Sequence, residues 1–393
     1  MSTENGQHIF NTSNKLKNYT IEIGGINIVK EMIISLEMTH QNNSPVVLGR
    51  LVINDLVDLN SQLIWRDTSV KVYYMDMFDK IFRKEFYITS IVETLNEKNR
   101  KSFIIDLQDK FSYILEHSYI SKSFSTDHKT ALLQYMGRLS IDSMLNVDYV
   151  STGTLESMNF VVPKHMNNLN YFMGEFYKQG FTWYQTKDSI KLKHYTDLLP
   201  VNLPLNSEEK PYKNETDNQL YMNKIIGLNT VFNKRDGILP ITKSFGYNIQ
   251  TKQIDSSEFN DNTMWVNNSD TVNMQTTSGG QYEGVFERPQ QHLDFDHHKI
   301  IMRDSFFTHN ELEMAINGYV RNDLNQIYEL FLKGNMGSID SQHRGNTIIN
   351  GKYVSNKITD KLIGDTLIQK VMLSRVDLRK NTEKDYKYAT KQS

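Results

Sequence analysis

Alternation of apolar and polar residues is the clearest pattern at the start of the chain. Residues 19–23 alternate, Gly24-Gly25 interrupts the pattern, and the alternation resumes at Ile26, which is typical of a β-hairpin. Similar stretches follow, with no helical pattern between them, at 48–53, 70–74, 86–92 and 103–107. Many short strands at close spacing predict an antiparallel barrel or sandwich over about residues 17–115.

The periodicity becomes helical after residue 116. Asp127 can cap a helix with apolar residues at helical spacing, namely Leu132, Leu133, Met136 and Leu139. A second helix is predicted to begin at Pro163 and to end at Gly180. One face of it carries the stripe Met166, Leu169, Phe172, Met173, Phe176 and Tyr177. A hairpin with a turn at Lys187-Asp188 follows. We interpret the stripe as core and 116–205 as a small α/β domain.

The rest of the chain mixes polar stretches with short patterns. Residues 200–218 indicate a linker, and 255–292, rich in Asn, Ser, Thr, Gln and Gly, indicate long loops. Thr308 and Glu311 fit a capping box, which predicts a helix through Leu312, Ala315, Ile316 and Tyr319. The final pattern consists of a strand at 327–332, an Asn350-Gly351 hairpin signal, two strands around Gly364 and a charged tail from Arg379.

One hairpin pattern occurs twice. Tyr87 precedes Ile105 and Leu107 by the same spacing with which Tyr353 precedes Val371 and Leu373. A polar turn separates the two strands in each case. Either two unrelated hairpins look alike or the chain carries one β unit twice, and these residues alone leave both interpretations open.

The order of parts resembles the tail hub family of contractile-tail bacteriophages. This is the central baseplate hub of T-even-type phages, related to the hub half of the VgrG spike of type VI secretion. Val47–Asp55 is similar to the opening strand of the family's first barrel, and 345–354 is similar to the hairpin of its last barrel. Tyr113–Phe124 resembles the link to the second domain. The residues that carry this signature are Gly49, Asp55, Tyr87, Gly345, Gly351 and Tyr353.

The resemblance implies an α+β fold that is mainly β. It implies two homologous antiparallel, tail-tube-like β-barrels and two smaller α/β or irregular domains. The first barrel would span 1–115 and the α/β domain 116–205. The second barrel would combine 206–240 with 306–376, and a peripheral domain with the C-terminal tail would combine 241–305 with 377–393. The stretch 241–305 matches no family motif.

The resemblance also implies a structural virion protein without enzymatic activity. Three copies would form a pseudo-sixfold hub that joins the sixfold tail tube to the threefold spike and leaves a channel for DNA. The expected partners are its own copies, a tail spike or needle protein, a tail tube or tube-initiator protein, baseplate wedge proteins and a tape-measure protein. DNA would pass without specific binding. We expect a location in the tail baseplate after assembly in the host cytoplasm, no cofactor and no stable membrane insertion.

Composition narrows the possible chemistry. The 393 residues include 44 Lys or Arg and 46 Asp or Glu, a formal charge of −2. This balance excludes a global basic field for nucleic acid and suits a weakly charged channel. The absence of cysteine excludes disulfides, thiol catalysis and Cys-ligated metal sites. The polar N-terminus lacks a signal-peptide pattern, and no apolar run approaches the roughly 18–20 residues that span a bilayer.

The densest group of potential metal ligands is His292, Asp294, Asp296, His297 and His298. The first three alternate, so a strand would place them on one face, and His with Asp can bind a divalent ion. The alternative is a solvated polar loop or a hydrogen-bonding site between subunits. We expect no stoichiometric transition metal in the purified protein.

The alternative function is a carbohydrate-binding or hydrolytic virion or surface protein built of β domains. The 21 Tyr could stack on sugars, and Asp294 with Asp296 could form a glycosidase pair. However, side chains two residues apart on a strand run nearly parallel and are poorly placed to flank a bond. The motifs of phosphate-binding loops, dinucleotide-binding folds, zinc proteases and serine hydrolases are missing from the sequence.

Overall fold

A computed structural model describes most of the first half of the chain and selected elements of the second half. The described residues are 15–54, 67–76, 79–95, 101–139, 147–149, 158–179, 181–194, 219–220, 225–231, 241–248, 252–260, 281–285, 311–318, 320, 322–330 and 351–375. Within these ranges no helix is long and apolar enough to cross a membrane.

Strands dominate the described residues. The α-helices are α1 (Lys110–Glu116), α2 (His128–Arg138) and α3 (Asn168–Lys178), and a short 3-10 helix spans Lys30–Met32. The strands are β1 (Asn18–Ile23), β2 (Ile26–Asn27), β3 (Ile33–Gln41), β4 (Ser44–Asn54), β5 (Ser69–Met75), β6 (Ile81–Leu95), β7 (Lys101–Asp109), β8 (Ser123–Thr126), β9 (Val147–Tyr149), β10 (Met158–Val161), β11 (Phe181–Gln185), β12 (Ile190–His194), β13 (Gln219–Leu220), β14 (Ile225–Val231), β15 (Ile241–Asn248), β16 (Gln253–Asn260), β17 (Gln281–Val285), β18 (Glu311–Asn317), β19 (Ile327–Leu330), β20 (Gly351–Ile363) and β21 (Thr366–Arg375).

One large sheet contains most of these strands. Its 13 strands follow the order β14-β18-β21-β20-β3-β4-β7-β6-β5-β1-β2, with β19 beside β20 and β13 beside β19. Its strand pairs are antiparallel except for β13 with β19. Smaller sheets pair β10 with β8, β12 with β11 and β9, and β15 with β16 and β17. The predicted fold class, α+β and mainly β with antiparallel strands, is confirmed; the division into two barrels and two smaller domains stays a prediction.

Three clusters of buried apolar side chains form the cores. The first lies under β1–β7 and includes Ile21, Leu51 and Phe86. The second joins α1–α3 to β11 and β12. The third lies under β18–β21 and includes Met314 and Tyr353. The sheet is therefore continuous, but the apolar interior beneath it is divided.

The predicted helix at Asp127 is confirmed, whereas the next helix begins later than predicted. Asp127 accepts a hydrogen bond from the Thr130 amide at 2.8 Å and caps α2. Asn167, not Pro163, caps α3, because its side chain accepts from the Asn170 amide at 2.8 Å. Three residues, 164–166, therefore separate Pro163 from the cap, and α3 ends at Lys178 rather than at Gly180. Three members of its apolar stripe, Leu169, Phe172 and Phe176, are buried in the core as predicted, whereas Met166 precedes the helix and is 37% exposed.

The helix predicted after Thr308 is wrong. Glu311–Asn317 forms strand β18 between β14 and β21. Leu312, Met314 and Ile316 alternate along it and are all buried, so tertiary pairing outweighs the helical spacing of Leu312, Ala315 and Ile316. Thr308 itself lies outside the described residues.

Candidate assembly interface

The large sheet contains one five-stranded unit twice. The first unit, β3 to β7, has the spatial order β3-β4-β7-β6-β5, and the second, β14 with β18 to β21, has the order β14-β18-β21-β20-β19. In both units the spatial order of the strands is the same when they are counted in chain order within the unit: the first strand lies beside the second, the second beside the fifth, the fifth beside the fourth and the fourth beside the third. Two unrelated sheets rarely share such a permutation, so the pattern favours duplication of one unit.

The residue pairings of the two units also coincide. Leu48 to Asn54 on β4 pair with β7 in the same register in which Glu311 to Asn317 on β18 pair with β21. All four residue pairs between β19 and β20 have equivalents between β5 and β6, where Ser69 to Val72 correspond to Ile327 to Leu330. The match therefore extends across the units and not only along one hairpin.

Both units carry β-bulges at equivalent places. Thr89 on β6 and Asn356 on β20 are the extra residues opposite β7 and β21. Ile34 on β3 and Ile226 on β14 are the extra residues opposite β4 and β18. A bulge bends and twists its strand, so the two units share irregular features as well as strand order.

The structure shifts the repeat seen in the sequence by one residue on its first strand. Tyr353, opposite Arg375, corresponds to Phe86, opposite Asp109, and not to Tyr87. The reason is the turn: Leu95 pairs with Lys101, six positions later, whereas its equivalent Leu362 pairs with Leu367, five positions later. The alignment of the second strand, with Ile105 equivalent to Val371, agrees with the sequence.

The two units join edge to edge through β3 and β20, and we call this junction the seam. Leu36 to Gln41 pair with Leu362 to Lys357 in antiparallel register. On one face Thr39 and Thr359 bring their hydroxyls within 3.1 Å. On the opposite, buried face lie His40, Met38 and Asp360. The chain thus shows directly how one unit adds to the next.

The tip of the β11–β12 hairpin lies against the seam. We call its residues Tyr184–Lys187 the pin. Tyr184 belongs to the core under the second unit, whereas the Gln185 side chain donates to the Asp109 carboxylate at 2.7 Å, in the first unit. The Lys187 amide donates to Asp323 at 2.9 Å, just before β19. The pin therefore connects the α/β unit to both β units.

A buried ion pair holds the pin. Lys187 Nζ lies 3.1 Å from Asp360 Oδ2, and both side chains are almost completely buried. Tyr74 donates to the same oxygen at 2.6 Å, and Gln369 donates to Oδ1 at 2.6 Å. Burial alone would raise the pKa of Asp360, but Lys187, His40 and these hydrogen bonds together hold it below its ordinary value. The carboxylate is thus fully bonded and charged near neutral pH.

Two further basic groups face this pair. Burial, together with the positive charges of Lys84 and Lys187, lowers the pKa of His40 to about 3. Burial also lowers the pKa of Lys84, against the attraction of nearby carboxylates, with Asp109 the strongest. In the described structure, neither His40 Nε2 nor Lys84 Nζ has a hydrogen-bond partner. The junction therefore contains two buried basic side chains, His40 and Lys84, beside the ion pair.

The exposed face of the sheet carries a row of alternating charges, which we call the charged row. Lys361 pairs with Glu37 across the seam, and Glu37 lies opposite Arg50. Arg50 Nε lies 2.9 Å from Asp106, which also accepts from Ser90 at 2.7 Å. Each charge has an opposite neighbour, so the row is neutral overall although it is polar throughout.

Each unit has one edge with no strand beside it in the described structure. On β6, Ser90–Leu95 pairs with β7 alone, and Val92 and Leu95 are 50% and 66% exposed. On the other unit, β14 pairs with β18 alone. Ser90–Leu95 is equivalent to the part of β20 in the seam, and β14 is equivalent to β3. The two outer edges are therefore the same pair of surfaces that the seam joins.

The signature residues proposed from the sequence are distributed over both units. Gly49 lies on β4, where an added Cβ would stand 3.1 Å from Leu107 Cβ, so the two strands approach closely there. Tyr87, Gly351 and Tyr353 lie on β6 and β20. Asp55 and Gly345 lie outside the described residues. No sequence motif marked Lys187, Asp360 or His40, because their importance depends on long-range pairing.

The candidate metal ligands His292, Asp294, Asp296, His297 and His298 also lie outside the described residues. Among the residues that are described, no three or more His, Asp or Glu side chains come together in an arrangement that could hold a metal ion. The absence of a metal stays a prediction for the chain as a whole.

Comparison with known proteins gives a match in fold only. The sequence matches no family model and no curated protein. The 43 kDa tail protein of prophage MuSo2 from Shewanella oneidensis superposes with a TM-score of 0.58 at 9% identity, over 92% of this chain and 99% of that one. The tail protein from Neisseria meningitidis MC58 gives 0.56 at 9% identity, over 92% and 97%.

A chain of the Francisella PdpA–VgrG complex in its lidded form has a similar fold. The TM-score is 0.54 at 12% identity, over 93% of this chain and 54% of that one. This chain thus spans about half of that one and nearly all of the two tail proteins. It has the fold of phage tail and VgrG-complex proteins.

Proposed function

We propose that the protein is a structural tail component without enzymatic activity, which forms a trimeric, pseudo-sixfold hub at the centre of a phage tail baseplate. The observation that carries this proposal is the seam, together with the two equivalent unpaired edges. A chain with one unit twice and complementary outer edges can add a neighbour by repeating its own internal junction. Three chains would supply six units, which matches a sixfold tube below a threefold spike.

The interface between chains follows from the register of the seam. Thr359 pairs with Thr39 in the seam; their equivalents at the outer edges are Val92 on β6 and Val231 on β14. We therefore propose that Val92 of one chain lies opposite Val231 of the next, with Leu95 opposite Leu228. This pairing would cover the exposed Val92 and Leu95 side chains and satisfy the backbone groups of both edges.

The charged row suits the wall of a channel. DNA carries dense negative charge, and an excess of Lys or Arg would bind it. In the row, Lys361 and Arg50 are each paired with a carboxylate, so phosphates would meet polar groups with no net attraction. We propose that this face lines the channel through which DNA passes without specific binding.

The remaining parts of the hypothesis concern domains and partners. We propose the division into two tube-like domains, an α/β domain and a peripheral domain, and a T-even-like hub that contacts a spike or needle protein, a tail tube or tube-initiator protein, wedge proteins and a tape-measure protein. The fold shared with a PdpA–VgrG complex chain supports a spike-type partner.

A double cysteine variant tests the hub. Because the chain has no cysteine of its own, Val92→Cys with Val231→Cys can form disulfides only at the new positions. We expect oxidation to give a covalent ring of three chains, resolved by denaturing electrophoresis and mass spectrometry. Glu93→Cys with Val231→Cys is the matched control, since Glu93 points to the opposite face and should cross-link poorly.

Light scattering supplies the independent measurement. We expect the wild-type chain to have three times the chain mass at micromolar concentration, alone or with its spike partner. A strictly monomeric protein under both conditions, or equal cross-linking of the Val92 and Glu93 variants, would contradict the proposal.

A further inference from the structure

His40 lies at the point where three parts of the molecule meet. It sits on β3 in the seam, opposite Ile358 of β20. Its ring is 1% exposed, and its Nδ1 lies 3.3 Å from the carbonyl oxygen of Gln185 in the pin. Any change in the charge of this ring therefore acts on both β units and the α/β unit together.

The charged groups of this junction are the lysines Lys84 and Lys187 and the carboxylates of Asp360, Asp109 and Asp323. Lys84 of β6 and Lys187 of the pin oppose a proton on the ring, and Asp360 of β20 favours one. The Asp360 carboxylate, however, already accepts from Lys187, Tyr74 and Gln369. Asp109 accepts from the Val47 amide and the Gln185 side chain, and Asp323 accepts from the Lys187 and Leu324 amides. Every carboxylate of the junction therefore already has hydrogen-bond partners before His40 gains a charge.

We propose that this junction is an acid-sensitive lock, in which a proton on His40 places a third positive charge beside Lys84 and Lys187, so that the seam and the pin separate. The separated form would expose the imidazole to water, where it carries the proton without penalty. The lock does not depend on the proposed hub function, because the seam lies within one chain.

The direction of the pH effect follows from linkage. The pKa of His40 is about 3 in the closed junction and near 6.5 in an open or unfolded chain. The open form therefore binds the extra proton as the pH falls below about 6.5, and closure is progressively disfavoured from there towards pH 3. Asp360, whose pKa is lowered in the folded chain, adds a loss of stability only at more acidic pH. Asp323, which accepts from the Lys187 amide, has a pKa that burial raises in the folded chain, so it opposes part of the His40 effect as the pH falls.

The outer edges lack a buried carboxylate at the position equivalent to Asp360. That equivalent is Glu93 on β6, whose side chain is 43% exposed and forms an ion pair with Lys101 at 3.6 Å. A solvated glutamate of this kind is only weakly coupled to its neighbours. The acid response is thus assigned to the seam within the chain and not to every junction between units.

Denaturation at two pH values tests the lock. We expect the melting temperature of the wild-type chain to fall by at least about 3 °C from pH 7.5 to pH 5, and His40→Gln to remove most of that fall. His117→Gln is the control, because His117 is an exposed histidine outside the seam, and we expect it to keep the full fall. A His40→Gln chain that keeps the full acid loss, or a wild type with none, overturns the proposal.

A disulfide across the seam identifies what opens. Thr39 and Thr359 are paired across it with hydroxyls 3.1 Å apart, so Thr39→Cys with Thr359→Cys should cross-link on oxidation. We expect the oxidised chain to lose less stability at pH 5 than the same chain reduced. Equal acid losses in the two forms would show that the seam is not the element released, even if His40→Gln itself fails to fold.

Discussion

Phe86 and Tyr353 occupy the same position in two copies of one β-hairpin. Both are buried, and each lies three residues before a bulge, at Thr89 and at Asn356. Shared irregularity is stronger support for duplication than shared strands, because regular strands arise readily in unrelated sheets whereas a bulge at a fixed place does not. The two units therefore share their backbone structure, whereas their side chains are similar at only some of the equivalent positions.

Gly318 should not tolerate alanine. An added Cβ would overlap the Leu367 side chain and stand 2.8 Å from the Leu367 carbonyl oxygen, where the Gly318 amide also donates at 2.9 Å. The Leu367 backbone is among the nearest atoms, which leaves little room for adjustment. We expect Gly318→Ala to lower the free energy of unfolding by about 2–4 kcal/mol, measured by urea denaturation.

Gly174 provides the matched control with the opposite sign. It lies in the interior of α3, and an added Cβ would meet no atom within 4 Å. Because alanine is the better helix former, Gly174→Ala should raise the free energy of unfolding by about 0.5–1 kcal/mol. Equal effects of the two substitutions would contradict this interpretation of the glycines.

The Lys187–Asp360 pair should show strong coupling in a double-mutant cycle. Lys187→Met leaves a buried carboxylate without its counter-ion and should cost about 3–5 kcal/mol. Lys187→Met with Asp360→Asn removes both charges and retains partners for Tyr74 and Gln369. We expect the double variant to be more stable than Lys187→Met alone, and additive losses in urea denaturation would refute a net ionic role for the pair.

Blocking the outer edge of β6 should prevent assembly and leave the fold intact. Leu95→Glu introduces a charge at a side chain that is 66% exposed in the single chain, so its effect on stability should be within about 0.5 kcal/mol. We expect light scattering to show monomers. Leu48→Glu, at a 54% exposed position within the paired part of β4, should assemble normally.

The cap of α2 should contribute a measurable share of stability. Asp127 accepts from the Thr130 amide at 2.8 Å and from its hydroxyl at 2.6 Å. Burial would raise the pKa of Asp127, but these hydrogen bonds lower it below its ordinary value, so the contribution is lost as the pH falls through that lowered pKa. We expect Asp127→Ala to cost about 1 kcal/mol at pH 7 and much less at pH 2.

Local patterns predicted local structure where packing and periodicity agree. The strands of the first unit, α2 and the β11–β12 hairpin follow from alternation, a capping Asp and a turn. Leu312, Ala315 and Ile316 satisfied a helical pattern equally well, and only the neighbours β14 and β21 make β18 a strand. Those neighbours are distant in sequence, so no local pattern contained that information.

The residues of the candidate site were even harder to predict from the sequence, because they come from distant parts of the chain. Thr39 and Thr359 carry no motif, and Lys187 reads as an ordinary turn residue. Their roles arise when β3 meets β20 and the hairpin tip enters the junction. The sequence repeat pointed to the two units, but a turn longer by one residue concealed the exact register.

The seam also constrains how the chain is made. Thr39 and Thr359 are 320 positions apart, so β3 leaves the ribosome long before β20 is translated. Such a distant pairing raises contact order and forms late, and until then β3 is an open edge on a folded unit, which is a risk for aggregation. Glu37, Thr39 and Gln41 on its outward face would act as gatekeepers during this wait. The polar outward face of β3 would thus protect the growing chain before the seam closes.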